Sequence, residues 1–254
     1  MLEVVRLTKR YFHRPVVNAV SFTIRPGEVL GYLGPNGSGK STTVKMLTGL
    51  LEQDTGHAQY RGEDIRQNLL AYKSVLGYVP EEPQVYPYLT GREYLQLAGR
   101  LRGLDETVMN EKIDALLNLF QLFEHRYSPI SSYSKGMKQK VLITAALLHN
   151  PEILIFDEPL SGLDVTSALV FKNLVRSLAR EGRVILYSSH VLEVVEKICT
   201  QVIILRQGNV AAYDSVDRLR ALLKSASLED VFSQLVVEED TEKVAGEMVA
   251  VMKG

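Results

Sequence analysis

"VLGYLGPNGSGKSTTVKML", residues 29–47, decides the fold. Its first five residues read as a buried strand and its last eight as a helix. Between them, Gly34 to Thr42 satisfies G-x-x-x-x-G-K-[ST] in the context that gives the pattern a mechanism, a strand leading in and a helix leading out. Gly34, Gly37 and Gly39 let the backbone curl until its N–H groups converge on phosphate oxygens, and the helix dipole adds positive potential. Lys40 offers a point charge toward β- and γ-phosphates, and the Ser41 hydroxyl offers a ligand for Mg²⁺. Pro35, Asn36, Ser38 and Thr42 complete the loop that would wrap the phosphates. A glycine-rich turn with an exposed lysine is the plainer alternative, and the flanking strand and helix argue against it.

The same alternation runs through the chain. Strand-like runs rich in β-branched and aromatic residues occur at "VVRL", "VVNAVSFTI", "SVLGYV", "EILIF", "RVILYSS" and "QVIILR". Helical patterns follow several of them, as in "VTSALVFKNLVRSLARE" after "EILIF" and "VLEVVEKI" after "RVILYSS". Strand-then-helix repetition predicts an α/β fold, a P-loop NTPase core with a mostly parallel sheet. The opening strands are separated by turn signals, "FHRP" and "RPGE", and so predict a flanking antiparallel β portion. Residues 88–149 carry helical periodicity in "REYLQLAGRL" and "MNEKIDALLNLFQLF" and read as a helical subdomain inserted between two core strands. The expected division is a core of 1–214 and a short C-terminal helical appendage, 215–254, ending in a weakly patterned tail.

"ILIFDEP", residues 153–159, is an apolar strand that delivers Asp157 and Glu158 to its carboxyl edge, where ligands sit in open α/β sheets. Asp157 suits Mg²⁺ held through its water shell, and Glu158 suits orientation and polarisation of an attacking water. "YSSH" brings His190 to a neighbouring edge, where it would donate to a γ-phosphate. A lone histidine is more often structural, but its place one β-α unit after Asp157 and Glu158 favours the sensor. "YSKGMKQKV", residues 133–141, begins a helix with Ser134. It is either an anion-holding N-terminus or a Ser-capped amphipathic helix whose buried stripe is Met137, Val141, Ala145 and Leu148.

Bulk properties narrow the class. With 254 residues, 46% hydrophobic and 23% charged, the chain can bury a sizeable core. A formal net charge of −1 gives no dedicated nucleic-acid footprint, so no nucleic-acid partner is expected. The single cysteine, Cys199, excludes an internal disulfide, and the five histidines form no ligand-spaced cluster. The N-terminus "MLEVVRLTKR" lacks a signal-peptide run, and no apolar run is long enough to span a bilayer. The reading is cytosolic, with any membrane role peripheral.

The order P-loop, helical insertion, "YSKGM", "ILIFDEP", "SGLD", "SSH" resembles the ATP-binding domain of ABC transporters, over roughly Val4 to Tyr213. The resemblance implies ATP and Mg²⁺ as the bound groups. Tyr11 in "KRYF" matches the aromatic that stacks on adenine, its alternative being a strand-edge core aromatic. "YSKGM" matches the family signature, and Ser161 to Asp164 the loop that crosses the dimer interface. Two such domains pack head to tail in this family, each signature capping the other's nucleotide, so Ser134 and Gly136 are implied to touch the ATP of a second copy. A separate transmembrane permease is the implied partner, with the chain on the inner face of the cell membrane. "PEE…YPYLT" and "SLEDVF" look like exporter-type members, with Tyr86, Tyr88 and Leu89 either docking the permease or packing within the insertion.

Three positions depart from the family pattern. Lys135 replaces a signature glycine and Met137 the usual glutamine, while Ser134 and Gly136 remain. Glu81 stands where the family places a Mg²⁺-reaching glutamine; a carboxylate there binds the metal more strongly but adds negative charge near the γ-phosphate. The competing function is a soluble, non-transport ABC-type ATPase of DNA repair, chromosome structure or translation. Such relatives carry long coiled-coil insertions or fused ATPase pairs, neither visible here. Intact Lys40, Asp157, Glu158 and His190 argue against a catalytically dead regulatory module.

Overall fold

The computed structural model describes residues 1–225, 227–236, 248–249 and 251–252. The elements in chain order are β1 (Leu2–Tyr11), β2 (Arg14–Ile24), β3 (Val29–Leu33), α1 (Lys40–Leu47), β4 (Thr55–Tyr60), β5 (Glu63–Asp64), α2 (Leu69–Ser74) and β6 (Leu76–Val79). Three helices follow, α3 (Gly91–Leu101), α4 (Glu106–Leu119) and α5 (Lys135–Leu147). The remainder is β7 (Ile153–Asp157), α6 (Val165–Arg180), β8 (Val184–Ser188), α7 (Leu192–Ile198), β9 (Gln201–Arg206), β10 (Asn209–Ser215), α8 (Val216–Leu223) and α9 (Leu228–Val236).

One sheet has the order β10-β9-β3-β8-β7-β6. Its pairings are parallel except β10 on β9. The other is antiparallel, β2-β1-β4-β5. This is the expected α/β architecture with its antiparallel flank. The central strands β3, β7 and β8 are buried at every residue, which is why they read as near-continuous apolar runs.

Alternate residues of those strands feed two cores. Val29, Leu33, Leu154 and Phe156 face the core shared with the helices α3 to α9. Leu30, Tyr32, Ile153 and Ile155 face the core shared with the antiparallel sheet and α1. Phe156 meets Phe171 of α6 edge-on, with centroids 5.0 Å apart, a geometry worth about 0.5–1.5 kcal/mol beyond burial. That contact fixes α6 directly beneath the acidic end of β7.

The helical interval lies between β6 and β7, which are neighbours in the sheet. Its helices start on side-chain caps. Thr90 and Glu93 form a capping box for α3, and Asp105 accepts from Thr107 and Val108 N–H at the start of α4. One expectation needs correcting. α5 is not a one-faced amphipathic helix: Gln139, Lys140, Leu142, Ile143 and Thr144 are buried beside Val141, and Met137 and Ala145 are only half-buried. The cause is enclosure, since α5 packs on β6, α3 and α4 together. The C-terminal segment forms α8 and α9; of the tail expected beyond them, residues 237–247 lie outside the described residues.

Candidate functional site

Four neighbouring strands end at one edge of the large sheet. β3 runs into the Gly34–Gly39 loop, β8 into Ser189 and His190, β7 into Glu158 and β6 toward Glu81. Because β3, β8, β7 and β6 are adjacent, these four loops surround one cavity of about 510 Å³. Gly34, Pro35, Asn36, Gly37, Gly39, Lys40, Ser41 and Thr42 line one wall. Asp157, Glu158, His190 and Glu81 line the opposite side.

The cradle fits phosphate. α1 starts at Gly39 with φ 104° and no side-chain cap, so its first N–H groups are left for a ligand. Lys40 Nζ donates to Gly34 O at 2.6 Å and to Pro35 O at 3.1 Å, curling the side chain over its own loop. Ser38 is tucked behind the loop instead of lining the cavity, and its buried Oγ has no hydrogen-bond partner among the described residues. Burial pulls the Lys40 ammonium below the ordinary lysine value, against the attraction of Glu158, Asp157 and Glu81. Burial also pushes the Asp157 carboxyl up, and the charges of Glu81 and Glu158 add to it. Three carboxylates against one ammonium make a cavity that favours a further cation, and Ser41 with Asp157 supplies the hard oxygen donors that Mg²⁺ takes.

Glu158 carries the tightest geometry. Its φ is +46°, a left-handed conformation costing on the order of 1–3 kcal/mol for a non-glycine residue. Its N–H donates to Ser188 O at 3.0 Å. His190 Nδ1 lies 2.8 Å from Oε1, and Ser189 Oγ donates to Oε2 at 3.1 Å. A nearly buried carboxylate so restrained, beside a phosphate cradle, can orient and polarise water.

Besides Ser38, three of the expected residues lie off the cavity. Tyr11 is absent from the cavity wall; it stands 44% exposed at the end of β1, so the core-aromatic reading fails. Ser134 and Gly136 also lie off the cavity. Ser134 Oγ accepts from Met137 N–H at 3.2 Å, which leaves its own proton free to donate outward. A Cβ on Gly136 would sit 2.3 Å from Gly162 O, so this glycine is where α5 presses against the Ser161–Asp164 loop. The same contact is braced by Lys140 Nζ, 3.2 Å from Asp164 Oδ2. Tyr88 is 92% exposed, which rules out its packing within the helical segment, whereas Tyr86 leans on Tyr94.

The cavity also contains residues that the sequence did not point to. Ser189 carries no signal in "SSH" beyond its place before His190. Val16, Leu192 and Phe232 line the wall, the last brought by α9 from the C-terminal segment. α9 is held there by Glu196 of α7, which accepts from Arg220 Nη1 at 3.0 Å and from Leu228 N–H at 3.3 Å.

A strand-to-helix phosphate cradle beside a paired-carboxylate strand end defines a P-loop nucleotide hydrolase. A family model described as ABC transporter matches residues 17–161. The chain is 38% identical over 220 residues to the ABC transporter ATP-binding protein YxlF of Bacillus subtilis (strain 168), covering 87% of this chain and 72% of that one. It superposes with a TM-score of 0.87 on the ATP-binding subunit of an ABC transporter, at 34% identity over 92% of this chain and 99% of that one. The dimeric, ADP- and Pi-bound ATP-binding cassette MJ0796 shares the fold, with a TM-score of 0.78 at 22% identity over 85% of this chain and 98% of that one. The chain belongs to the ABC transporter family, as an ATP-binding subunit that hydrolyses ATP. Among the described residues, no helix is long and apolar enough to cross a membrane.

Proposed function

We propose that two copies of this chain pack head to tail, hydrolyse ATP at the shared interface and drive a separate membrane-spanning permease, in the export direction. One observation carries the reading. Lys40, Ser41, Asp157, Glu158 and His190 meet in one cavity, whereas Ser134 and Gly136 form a second helix start away from it. A signature that faces none of its own chain's phosphates is half a site, completed by another copy; the dimeric state of MJ0796 is in keeping with this.

In the closed dimer Tyr11 stacks on adenine and residues Gly34–Thr42 wrap the phosphates, with Lys40 on the β- and γ-phosphates. Ser41, Asp157 and Glu81 would hold Mg²⁺, which would neutralise phosphate charge there. Glu158 accepts a proton from water as the water oxygen bonds to the γ-phosphorus and the bond to ADP oxygen breaks. His190 donates to the γ-phosphate, and Ser134 Oγ–H and Gly136 N–H reach the same group from the partner copy. Phosphate release removes that bridge and reopens the dimer, the two-state element that moves the permease. Residues 1–214 form the ATP-binding domain, 88–149 its helical subdomain and 215–254 the appendage. The exposed Tyr86 and Tyr88 offer the permease anchors on the inner face of the membrane.

Sedimentation of Glu158→Gln with and without Mg·ATP tests the reading. The expected result is an ATP-dependent shift from monomer to dimer, abolished by Ser134→Arg. A chain that binds Mg·ATP and stays monomeric overturns the two-copy assembly.

A further inference from the structure

Both carboxylate oxygens of Glu158 are held, and by adjacent residues of one loop. Ser189 Oγ donates to Oε2 at 3.1 Å, and His190 Nδ1 lies 2.8 Å from Oε1. The two holders differ in freedom. The His190 side chain is 74% exposed and borders the cavity, so little besides Glu158 restrains it. Ser189 is 3% exposed. Its hydroxyl has a single proton, committed to Glu158, and its oxygen accepts from Val191 N–H at 3.1 Å at the mouth of α7. Ser189 is therefore locked between Glu158 and the helix that follows His190.

A base needs a free lone pair aimed at the incoming proton, and in the present geometry each oxygen of Glu158 already has one of its two lone pairs facing a partner. The terminal torsion of a glutamate is broad and roughly two-fold, so a carboxylate released at both oxygens would rotate away from the water. We propose that Ser189 is the positioning residue for Glu158: when His190 leaves Oε1 for the γ-phosphate, Ser189 keeps Oε2 fixed and so aims Oε1 at the attacking water. The proposal rests on the roles assigned above to Glu158 and His190. No proton moves to or from Ser189. The water proton passes to Oε1 as the P–O bond to water forms and the bond to ADP breaks, and the hydroxyl of Ser189 remains a donor throughout.

The test uses the full chain and measures kcat, KM for Mg·ATP, equilibrium Mg·ATP binding and melting temperature for Ser189→Ala, Ser189→Thr and Glu158→Gln. A misplacement of a reacting group by about 1 Å can cost roughly a hundredfold in rate. The expected result is that Ser189→Ala loses about ten- to a hundredfold in kcat with KM, nucleotide binding and melting temperature unchanged, and that Ser189→Thr, which retains the hydroxyl, recovers most of the rate. A Ser189→Ala enzyme that turns over like wild type overturns the proposal, as does equal impairment of the Ala and Thr variants with shared loss of stability. Glu158→Gln separates the two levels. If it removes turnover while Ser189→Ala does not, only the role of Ser189 falls; if Glu158→Gln itself turns over at the wild-type rate, the underlying assignment of the base falls.

Discussion

Two helix starts in this molecule are built from similar letters and do different work. α1 begins at Gly39 without a side-chain cap, and its first residue, Lys40, is 9% exposed and folded back onto Gly34 and Pro35 carbonyls. α5 begins at Ser134, which caps its own helix through Met137 N–H, and its first residue, Lys135, is exposed. The glycines differ in the same way. Gly39 is glycine because φ is +104°. Gly136 is outside the positive-φ set and is glycine because the Gly162 carbonyl leaves no room for a Cβ. On the function proposed above, an uncapped start with its lysine folded inward serves the chain's own phosphates, and a self-capped start with its lysine exposed serves those of a second chain.

The sharpest way to break this comparison is to remove each lysine in turn. Lys40→Ala deletes a charge-assisted contact to phosphate, and such contacts are worth about 1.5–3 kcal/mol, or roughly ten- to a hundredfold in Kd. Titration calorimetry with a non-hydrolysable ATP analogue should show that loss for Lys40→Ala and none for Lys135→Ala in the isolated chain. Equal losses would mean that both helix starts serve the same nucleotide.

Gly136→Ala should have a smaller effect and a different signature. Its Cβ would be placed 2.3 Å from Gly162 O, and overpacking of this kind costs typically about 1–3 kcal/mol. Nucleotide binding by the single chain should stay as it was, while the melting temperature falls by several degrees and ATP-driven dimerisation weakens, because the Ser161–Asp164 loop is displaced. Unchanged stability would show that the loop yields without strain and that glycine is needed at 136 for some other contact.

The difference between the two starts also marks what the sequence made legible. The P-loop, the acidic end of β7 and His190 are readable because each motif sits at the end of a buried, largely apolar strand, and local pattern fixes both strand and motif. β4 and β10 are not, since both have mixed exposure: β10 is an edge strand, β4 is flanked on one side only by the two-residue β5, and Ala58 is the only buried residue of β4. For β10 the signal is the turn before it: Gln207 and Gly208 both have positive φ, the two-residue turn that joins antiparallel strands, and "QGN" is its trace in the sequence. Phe232 reaches the cavity through the packing of α9 on α7, a long-range placement that no spacing in "SLEDVFSQL" encodes. The same holds for the reason behind Gly136, which lies in the approach of two loops far apart in sequence.

The smallest effect probes how firmly the second start is carried. At the far end of α5, His149 Nε2 lies 3.1 Å from Leu76 O of β6, while its buried Nδ1 has no hydrogen-bond partner among the described residues. A carbonyl only accepts, so the neutral ring places its proton on Nε2. Burial, with Arg102 and Lys112 nearby, pulls His149 down to about 4. An unfolded histidine titrates near about 6.5, so between those values the unfolded chain binds a proton that the folded chain refuses. Stability from this group is therefore whole above about pH 6.5 and is lost as the pH falls toward about 4. His149→Gln keeps a donor for Leu76 and removes the titration, so the gap in melting temperature between wild type and variant should shift in favour of the variant from pH 7 to pH 5. A gap that stays constant across that range would mean that His149 gains its proton in the folded chain as easily as in the unfolded one, and that the end of α5 opens to solvent rather than resting rigidly on β6.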